Sequence, residues 1–454
     1  MRNDGKGGRM IVVTRAVMWF RDDLRLGDHP ALAAATRNGV DGVLALYVVD
    51  ETAWDRTNSP RRAYRRSSLK NLADAIGGIE IAYGDPAVEV RRVARDIDAG
   101  SVHVQSDIDP HGRQRDGRVV AALAEDDIRF ETTGSAYIVD PGDILKPDGT
   151  PYRVYSPFAN AWSTRRAPSP PGVSATHWLP PRSSKFPDAE ANTVSLPPAG
   201  EQAALSRWHA YANGALGDYE LVRDNPGANA TSRMSIPLAH GEIHPRTMWA
   251  DLQPTDSAFR RELVFREFYA DVLWHRPDTV EHYYNPAFAD MEYDEPGDDL
   301  EAWKQGRTGM PIVDAGMRQL LAEGWMHNRV RMIVASFLVK DLHLEWQHGA
   351  NHFLDRLTDA DRASNQHGWQ WVAGCGTDAA PYFRIFNPVL QGKKFDPDGD
   401  YVRRHVPELR DVPSSRIHEP WLLPDGPPGG YPLPLVDHAE ERIESLARYD
   451  RIRR

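Results

Sequence analysis

The residues best suited to chemistry stand together near the C-terminal end, between Asp359 and Pro388. Asp359, Asp361, Asn365, Trp369, Trp371, Asp378 and Arg384 share this stretch with a run of small residues, Ala373-Gly-Cys-Gly-Thr-Asp-Ala379. That mixture makes poor core and poor solvated surface. Small residues let backbones approach a ligand, and clustered indoles need a flat partner or a thick core. The stretch reads as one wall of a pocket for a large planar aromatic ligand. Asp359 and Asp361 flank one residue, as metal ligands can, but no His/Cys set accompanies them. His348 and His352 lie four apart without the glutamate of a zinc-protease helix. Gly374-Cys-Gly-Thr-Asp-Ala379 imitates a dinucleotide fingerprint but opens no βαβ unit.

Two further groups could serve such a ligand. Thr231-Ser-Arg-Met-Ser235 precedes Ile236-Pro237. Hydroxyls, an Arg and free N–H groups at a helix start suit phosphate oxygens, although plain capping by Ser is the commoner use. Tyr219 lies twelve residues earlier and could cover the same site. In Trp325-Met-His-Asn-Arg-Val-Arg-Met332, helical spacing lets Asn328, Arg329 and Arg331 face a ligand. An apolar run follows, so the helix is half buried and Arg331 needs an acid. Asp359 is the candidate. Trp303, Trp346, Trp369 and Trp371 are spread through the chain, and for any one of them core packing is the ordinary role.

At 454 residues the chain exceeds one typical core, so two or more domains must position these residues. From residue 12 to 132, apolar runs alternate with amphipathic stretches. Ala16–Phe20, Val43–Val49, Ile79–Tyr83 and Ser101–Gln105 read as buried strands, with helices over 61–76 and 86–97. Such alternation predicts a doubly wound parallel sheet, with ligands beyond the strand ends at Phe20, Asp50 and Gln105. Residues 1–11 read as a loose tail. From 133 to 199, Pro, Gly and Ser recur, which reads as a long interdomain connection draped over the surface. From 200 to 454 helical patterns dominate, including 260–274, 311–324 and 328–342.

A single cysteine, Cys375, excludes an internal disulfide framework and suits a reducing cytoplasm. No run of about 18 apolar residues occurs, so no membrane span is expected. The net charge of −11 argues against a global basic footprint but leaves room for a local basic groove.

Taken together, these residues resemble the DNA photolyase/cryptochrome family. Trp19-Phe-Arg-Asp-Asp-Leu-Arg-Leu-Gly-Asp28 is similar to its N-terminal signature. The 231–235 and 324–332 segments, Glu262-Leu-Val-Phe-Arg-Glu-Phe-Tyr269 and the 359–388 stretch are similar to its flavin-domain signatures. The resemblance is closest to class I cyclobutane pyrimidine dimer photolyases and spans nearly the whole chain in order. It implies an α/β N-terminal domain and an all-α domain holding FAD, active as FADH−. Tyr219, Thr231, Ser232, Arg233, Met234 and Ser235 would hold the FAD phosphates and ribityl chain, with Arg266 alongside. Asp359 and Asp361 would bond the flavin ring and its neighbours, with Arg331 paired to Asp359. Asn365 would face the ring nitrogen that gains a proton on reduction.

Under the same resemblance, Trp369, Trp346 and Trp303 match an electron-relay triad, ordered from flavin to surface. Trp371 would stack on the lesion, and Glu262 and Asn328 would bond its bases. Arg223, Arg266, Arg329, Met332, Arg384, Gln391 and Lys393 would line or flank the DNA groove. Phe265 stands where the family usually has Trp, packed against the dimer. Base–aromatic stacking is worth ~1–3 kcal/mol, so this change bears on substrate affinity. Asn328 stands where (6-4) photolyases have His, which favours the cyclobutane dimer. No long tail follows 439–454, which favours an enzyme over a cryptochrome sensor. Gly112 and Val280-Glu281 stand where folate-binding relatives have a Glu and a Cys-Lys pair. The antenna is therefore expected to be 8-hydroxy-5-deazaflavin rather than methenyltetrahydrofolate or none. The partner implied is UV-damaged DNA with its dimer flipped out, bound by a cytoplasmic monomer.

Overall fold

The computed structural model describes residues 14–37, 40–172, 176–188, 194–378 and 383–453. Five strands form one parallel sheet in the order β3-β2-β1-β4-β5. They are β1 (Thr14–Phe20), β2 (Val40–Val49), β3 (Glu80–Tyr83), β4 (Ala99–Val104) and β5 (Arg129–Thr132). Alternate residues of each strand enter opposite cores, as a period of two requires. Ala16, Met18 and Phe20 meet Leu32, Leu69 and Leu72 on one face, while Val17 and Trp19 meet Val90, Val93, Val119 and Leu123 on the other. Helices Pro30–Ala35 and Ser59–Ile76 cover the first face, Pro86–Asp96 and Pro110–Ala124 the second. The chain reverses direction between β1 and β4, so a crevice opens at the carboxyl ends of the strands.

The 133–199 segment is not simply draped over the surface. It contains the helix Tyr155–Ser163, and Ile138, Ile144, Phe158 and Trp162 are buried against Val264, Phe268 and Val272 of the Ser257–His275 helix. Glu267 fixes the junction, accepting from Ile138 N at 2.6 Å, Val139 N at 3.2 Å and Trp162 Nε1 at 2.5 Å. Further on, Leu179 N donates to the Val43 carbonyl at 2.9 Å, which ties the segment to the first domain.

Beyond it the structure is helical. Pro311–Glu323, Asn328–Lys340, Trp346–Arg356 and Arg362–Ala373 enclose the largest core, which contains Trp303, Trp346 and Trp369. Gly324, at φ +59°, ends the first of these helices as glycine C-caps do. His327 caps the second, its Nδ1 accepting from Arg329 N at 3.2 Å. Asp361 caps the fourth by accepting from Ser364 N at 2.7 Å.

Candidate active site

A cavity of about 350 Å³ opens among these helices. The Ser257–His275 helix contributes Phe259, Glu262, Leu263 and Arg266, one stripe at helical spacing. Asn328–Lys340 adds Asn328, Arg331, Met332 and Ala335, and Arg362–Ala373 adds Ser364, Asn365, Gly368 and Trp369. Tyr219, Arg223, Thr231 through Ser235, Asp359 and Asp361 also line it. The residues expected around a flavin thus converge from segments far apart in sequence.

Arg331 Nη2 donates to Asp359 Oδ2 at 2.7 Å, and its Nε donates to the Met326 carbonyl at 2.8 Å. Asp359 is 5% exposed, and its Oδ1 has no hydrogen-bond partner. A buried carboxylate oxygen left bare is costly, so the site calls for a donor from a ligand. A flavin ring N–H is of that kind. Asn365 Nδ2 donates to the Ala350 carbonyl at 3.1 Å and to Gln366 Oε1 at 2.8 Å. Both amide hydrogens are committed, so what it offers the cavity is its carbonyl oxygen. That oxygen suits a protonated ring nitrogen.

The 231–235 segment is built differently from a helix-dipole site. The helix after it, Ser235–Ala239, has five residues, too short for a strong dipole. Arg233 takes the left-handed conformation at φ +52°, its Nη1 donates to Glu323 at 2.9 Å, and its guanidinium lies 4.2 Å from the Trp325 ring centroid. Phosphate oxygens would find the Ser and Thr hydroxyls and turn N–H groups, with Arg233 already neutralised. Asp361 spends one oxygen on its cap, and Arg266 Nη1 donates to the Ala136 carbonyl at 2.7 Å while its guanidinium lies over Tyr137.

Several expected residues lie elsewhere. Trp371 does not line this cavity. It is two residues after Trp369 on one helix, so the rings diverge by about 200°. Its Nε1 donates to the Asp378 carbonyl at 3.1 Å, and it shares a small cleft with Arg384, Phe383 and Phe386. Phe265 falls off the cavity stripe and stacks on Tyr155, centroids 3.5 Å apart and planes 5° apart. Arg329 binds Asp224 Oδ1 at 2.8 Å and covers Phe395, and Lys393 pairs with Glu419. Gln391 and Lys393 both lie outside the cavity, on the Pro388–Phe395 helix. Arg223 binds Glu262 at 2.7 Å, so two residues expected at the substrate meet each other. Ala379 to Tyr382 lie outside the described residues.

Trp303 requires a correction. It was expected at the surface end of a relay, yet it is 0% exposed. Its ring lies edge-on to Trp369 at 6.1 Å, and its Nε1 donates to the Val334 carbonyl at 3.0 Å. Spacing in the sequence carries no information about which ring is outermost. Trp369, expected at the flavin end of such a relay, has a different setting. Trp369 lines the cavity, and its ring lies on Gly349, one helical turn after Trp346.

His327 was missed. It lines the cavity, is 3% exposed, and its Nε2 has no partner. Burial pushes its pKa down to about 4, so the ring is neutral, with its Nε2 hydrogen available to a ligand. Its signal was present as a residue between an apolar turn and a helix start. Trp325 and Phe353, also in the wall, carried no signal beyond an apolar pattern.

A second cavity of about 770 Å³ lies between the domains. Arg21–Asp23, Asp50 and Gln105–Asp109 line it from the ends of β1, β2 and β4, where the fold predicts a ligand. It shares Leu238, Ala239, Arg266, Ala360 and Asp361 with the first cavity.

Residues 16–175 match the family model described as DNA photolyase, and residues 259–451 match the FAD binding domain of DNA photolyase. The deoxyribodipyrimidine photo-lyase of Escherichia coli (strain K12) is 38% identical over 97% of this chain and 100% of its own. The chain belongs to the DNA photolyase family. The photo-lyase of Agrobacterium fabrum is 39% identical, covering 96% of this chain and 98% of its own. Among solved structures, a bacterial class III photolyase from Agrobacterium tumefaciens is 36% identical with a TM-score of 0.89, covering 99% of this chain and 100% of that one. An archaeal photolyase from Sulfolobus tokodaii with two FAD molecules is 28% identical, with a TM-score of 0.87 and 96% and 100% coverage. The helical domain of this photolyase-family chain is an FAD-binding domain, and the α/β-plus-helical architecture is the family's.

Proposed function

We propose that this photolyase-family protein splits cyclobutane pyrimidine dimers in DNA by light-driven electron transfer from FADH−. The observation that carries the reading is the cavity itself. Its lining brings together Asp359 with a bare Oδ1, Asn365, Trp369, Glu262, Asn328 and Met332, which supports a flavin with a substrate beside it. Bound FAD supplies the electron that opens the dimer and takes it back. The protein's residues position and polarise. Asp359 and Asn365 orient the ring, Arg331 holds the Asp359 charge in place, and His327 offers a neutral N–H. Glu262 and Asn328 address the flipped bases, for which Glu262 must exchange its Arg223 partner for the substrate. Lesion bases unstack at low cost, which favours their entry.

Along the groove, Arg223, Arg329, Arg384 and Lys393 answer the phosphate backbone, with Gln391 nearby. Trp371, half buried beside Arg384, and Phe265 with its Tyr155 stack provide aromatic surface outside the cavity. Asn328 in place of His supports the cyclobutane dimer over the (6-4) product.

The interdomain cavity supports an antenna, and 8-hydroxy-5-deazaflavin is the proposed one. A side chain at position 112 would begin 2.1 Å from Asp107 Oδ2, and Asp107 is held by Arg115 at 3.1 Å. The glutamate of folate-binding relatives would require Asp107 to move. Reduced protein in blue light should restore a dimer-containing oligonucleotide. No restoration by flavin-loaded, fully reduced protein would contradict the enzyme reading and leave a light sensor.

A further inference from the structure

An electron relay needs an outlet, and Trp303 supplies none. Its ring is closed off from solvent between Trp369 and Phe353, 6.1 and 6.4 Å away. Trp346 is equally buried but touches a different series of rings. Tyr283 lies edge-on to it, centroids 6.2 Å apart at 78°. Tyr293 stacks on Tyr283 at 6.4 Å and 11°. Exposure rises along this series, from 0% at Trp346 to 8% at Tyr283, and Tyr293 is the first ring only partly buried. Glu345, the residue before Trp346, accepts a hydrogen bond from the Tyr283 hydroxyl at 2.7 Å.

We propose that Tyr283 is the outlet of the relay, oxidised by electron loss toward Trp346 together with proton loss to Glu345, with Tyr293 as its outer neighbour. This rests on the reading that Trp369 donates to oxidised flavin in the cavity and is refilled from Trp346. The step balances within the chain. With FAD bound, Trp369 would give one electron to the photoexcited oxidised ring, and the vacancy would pass to Trp346 and then Tyr283. The phenol O–H bond breaks, a carboxylic O–H forms on Glu345, and a neutral tyrosyl radical remains. An external thiol then returns the electron, Glu345 returns its proton to the phenol oxygen, and the thiol, having given its own proton to solvent, leaves as a thiyl radical. Burial, followed by the neighbouring Tyr293, raises the Tyr283 pKa, so the phenol keeps its proton until it is oxidised. An indole cation beside a carbonyl has nowhere to send its charge. A phenol hydrogen-bonded to a carboxylate does, and proton loss delays the electron's return.

The test is light-induced EPR and flash absorption on the full-length, oxidised, flavin-loaded protein, with and without ring-deuterated tyrosine. The expected result is a tyrosyl signal that narrows with the deuterated label and is lost in Tyr283→Phe. That variant should leave a tryptophan radical decaying roughly tenfold faster, and Glu345→Gln should slow tyrosyl formation by about the same factor. If flavin is photoreduced in the unsubstituted protein but only tryptophan radicals form, the relay stands and the tyrosine outlet is wrong. If the tyrosyl signal survives in Tyr283→Phe, the outlet is also wrong. Neither radical nor photoreduction in the unsubstituted protein overturns the relay and the outlet together. The isotope arm reads the unsubstituted protein, so the outcome does not depend on how well the variants fold.

Discussion

Asp359 spends one oxygen on Arg331 and keeps the other buried without a protein partner. Removing Arg331 would leave the whole charge uncompensated, which costs about 3–5 kcal/mol for a buried pair. Arg331→Ala should therefore unfold at clearly lower denaturant and retain little flavin. Flavin content and denaturation together check this, and normal values for both would contradict it. That pairing was legible in the sequence because an Arg on a half-buried helix needs an acid. His327 was not legible, since a histidine at a helix start usually only caps. With its pKa held near 4 by burial, it binds fewer protons folded than unfolded between about pH 4 and 6.5. Its contribution to stability is thus full above about 6.5 and lost as pH falls toward 4. NMR of labelled histidine should find the His327 ring neutral at pH 6, and a midpoint near 6.5 would contradict the burial.

At the scale of elements, close helix packing holds Trp369 against the Trp346–Arg356 helix. A Cβ on Gly349 would lie 2.1 Å from Trp369 Cη2 and 2.6 Å from Leu338 Cδ2. Gly349→Ala gains about 0.5–1 kcal/mol of helix propensity but costs about 1–3 from overpacking, so overpacking wins. The variant should be less stable and photoreduce flavin more slowly, as denaturation and illuminated absorbance would show. Glu267→Ala strands three donors of the connection, at about 1–3 kcal/mol each where they stay buried, and should lower Tm sharply. Glu267→Gln keeps one acceptor and should fall between. The strands β1 to β4 were legible as apolar runs ended by polar residues. β5 was not, because Arg129-Phe-Glu-Thr132 is an edge strand with an exposed residue at each end and no buried one. The Tyr155–Ser163 helix was hidden by its Pro- and Gly-rich surroundings, although Phe158 and Trp162 mark its buried side.

At the scale of the molecule, a net charge of −11 must coexist with the proposed binding to a polyanion. The cations proposed for the groove include Arg223 and Arg329, which already face Glu262 and Asp224. Binding of dimer-containing duplex should therefore weaken with salt at a log–log slope of about −2 to −4, a local rather than global footprint. A slope near zero would remove the groove assignment. The family resemblance supplied the flavin, since composition and spacing alone reach only a planar-ligand pocket. What no linear reading could supply was the spatial order of the tryptophans. On the proposed function, reduced flavin in this cavity drives repair while the tryptophans only reload it. The direct measurement is repair of a dimer-containing oligonucleotide in blue light by chemically reduced protein, for the unsubstituted chain and Trp369→Phe side by side. Equal, strictly light-dependent repair is expected, with photoreduction of the oxidised form lost in the variant. Absence of repair in both, with flavin bound and reduced, would contradict the account.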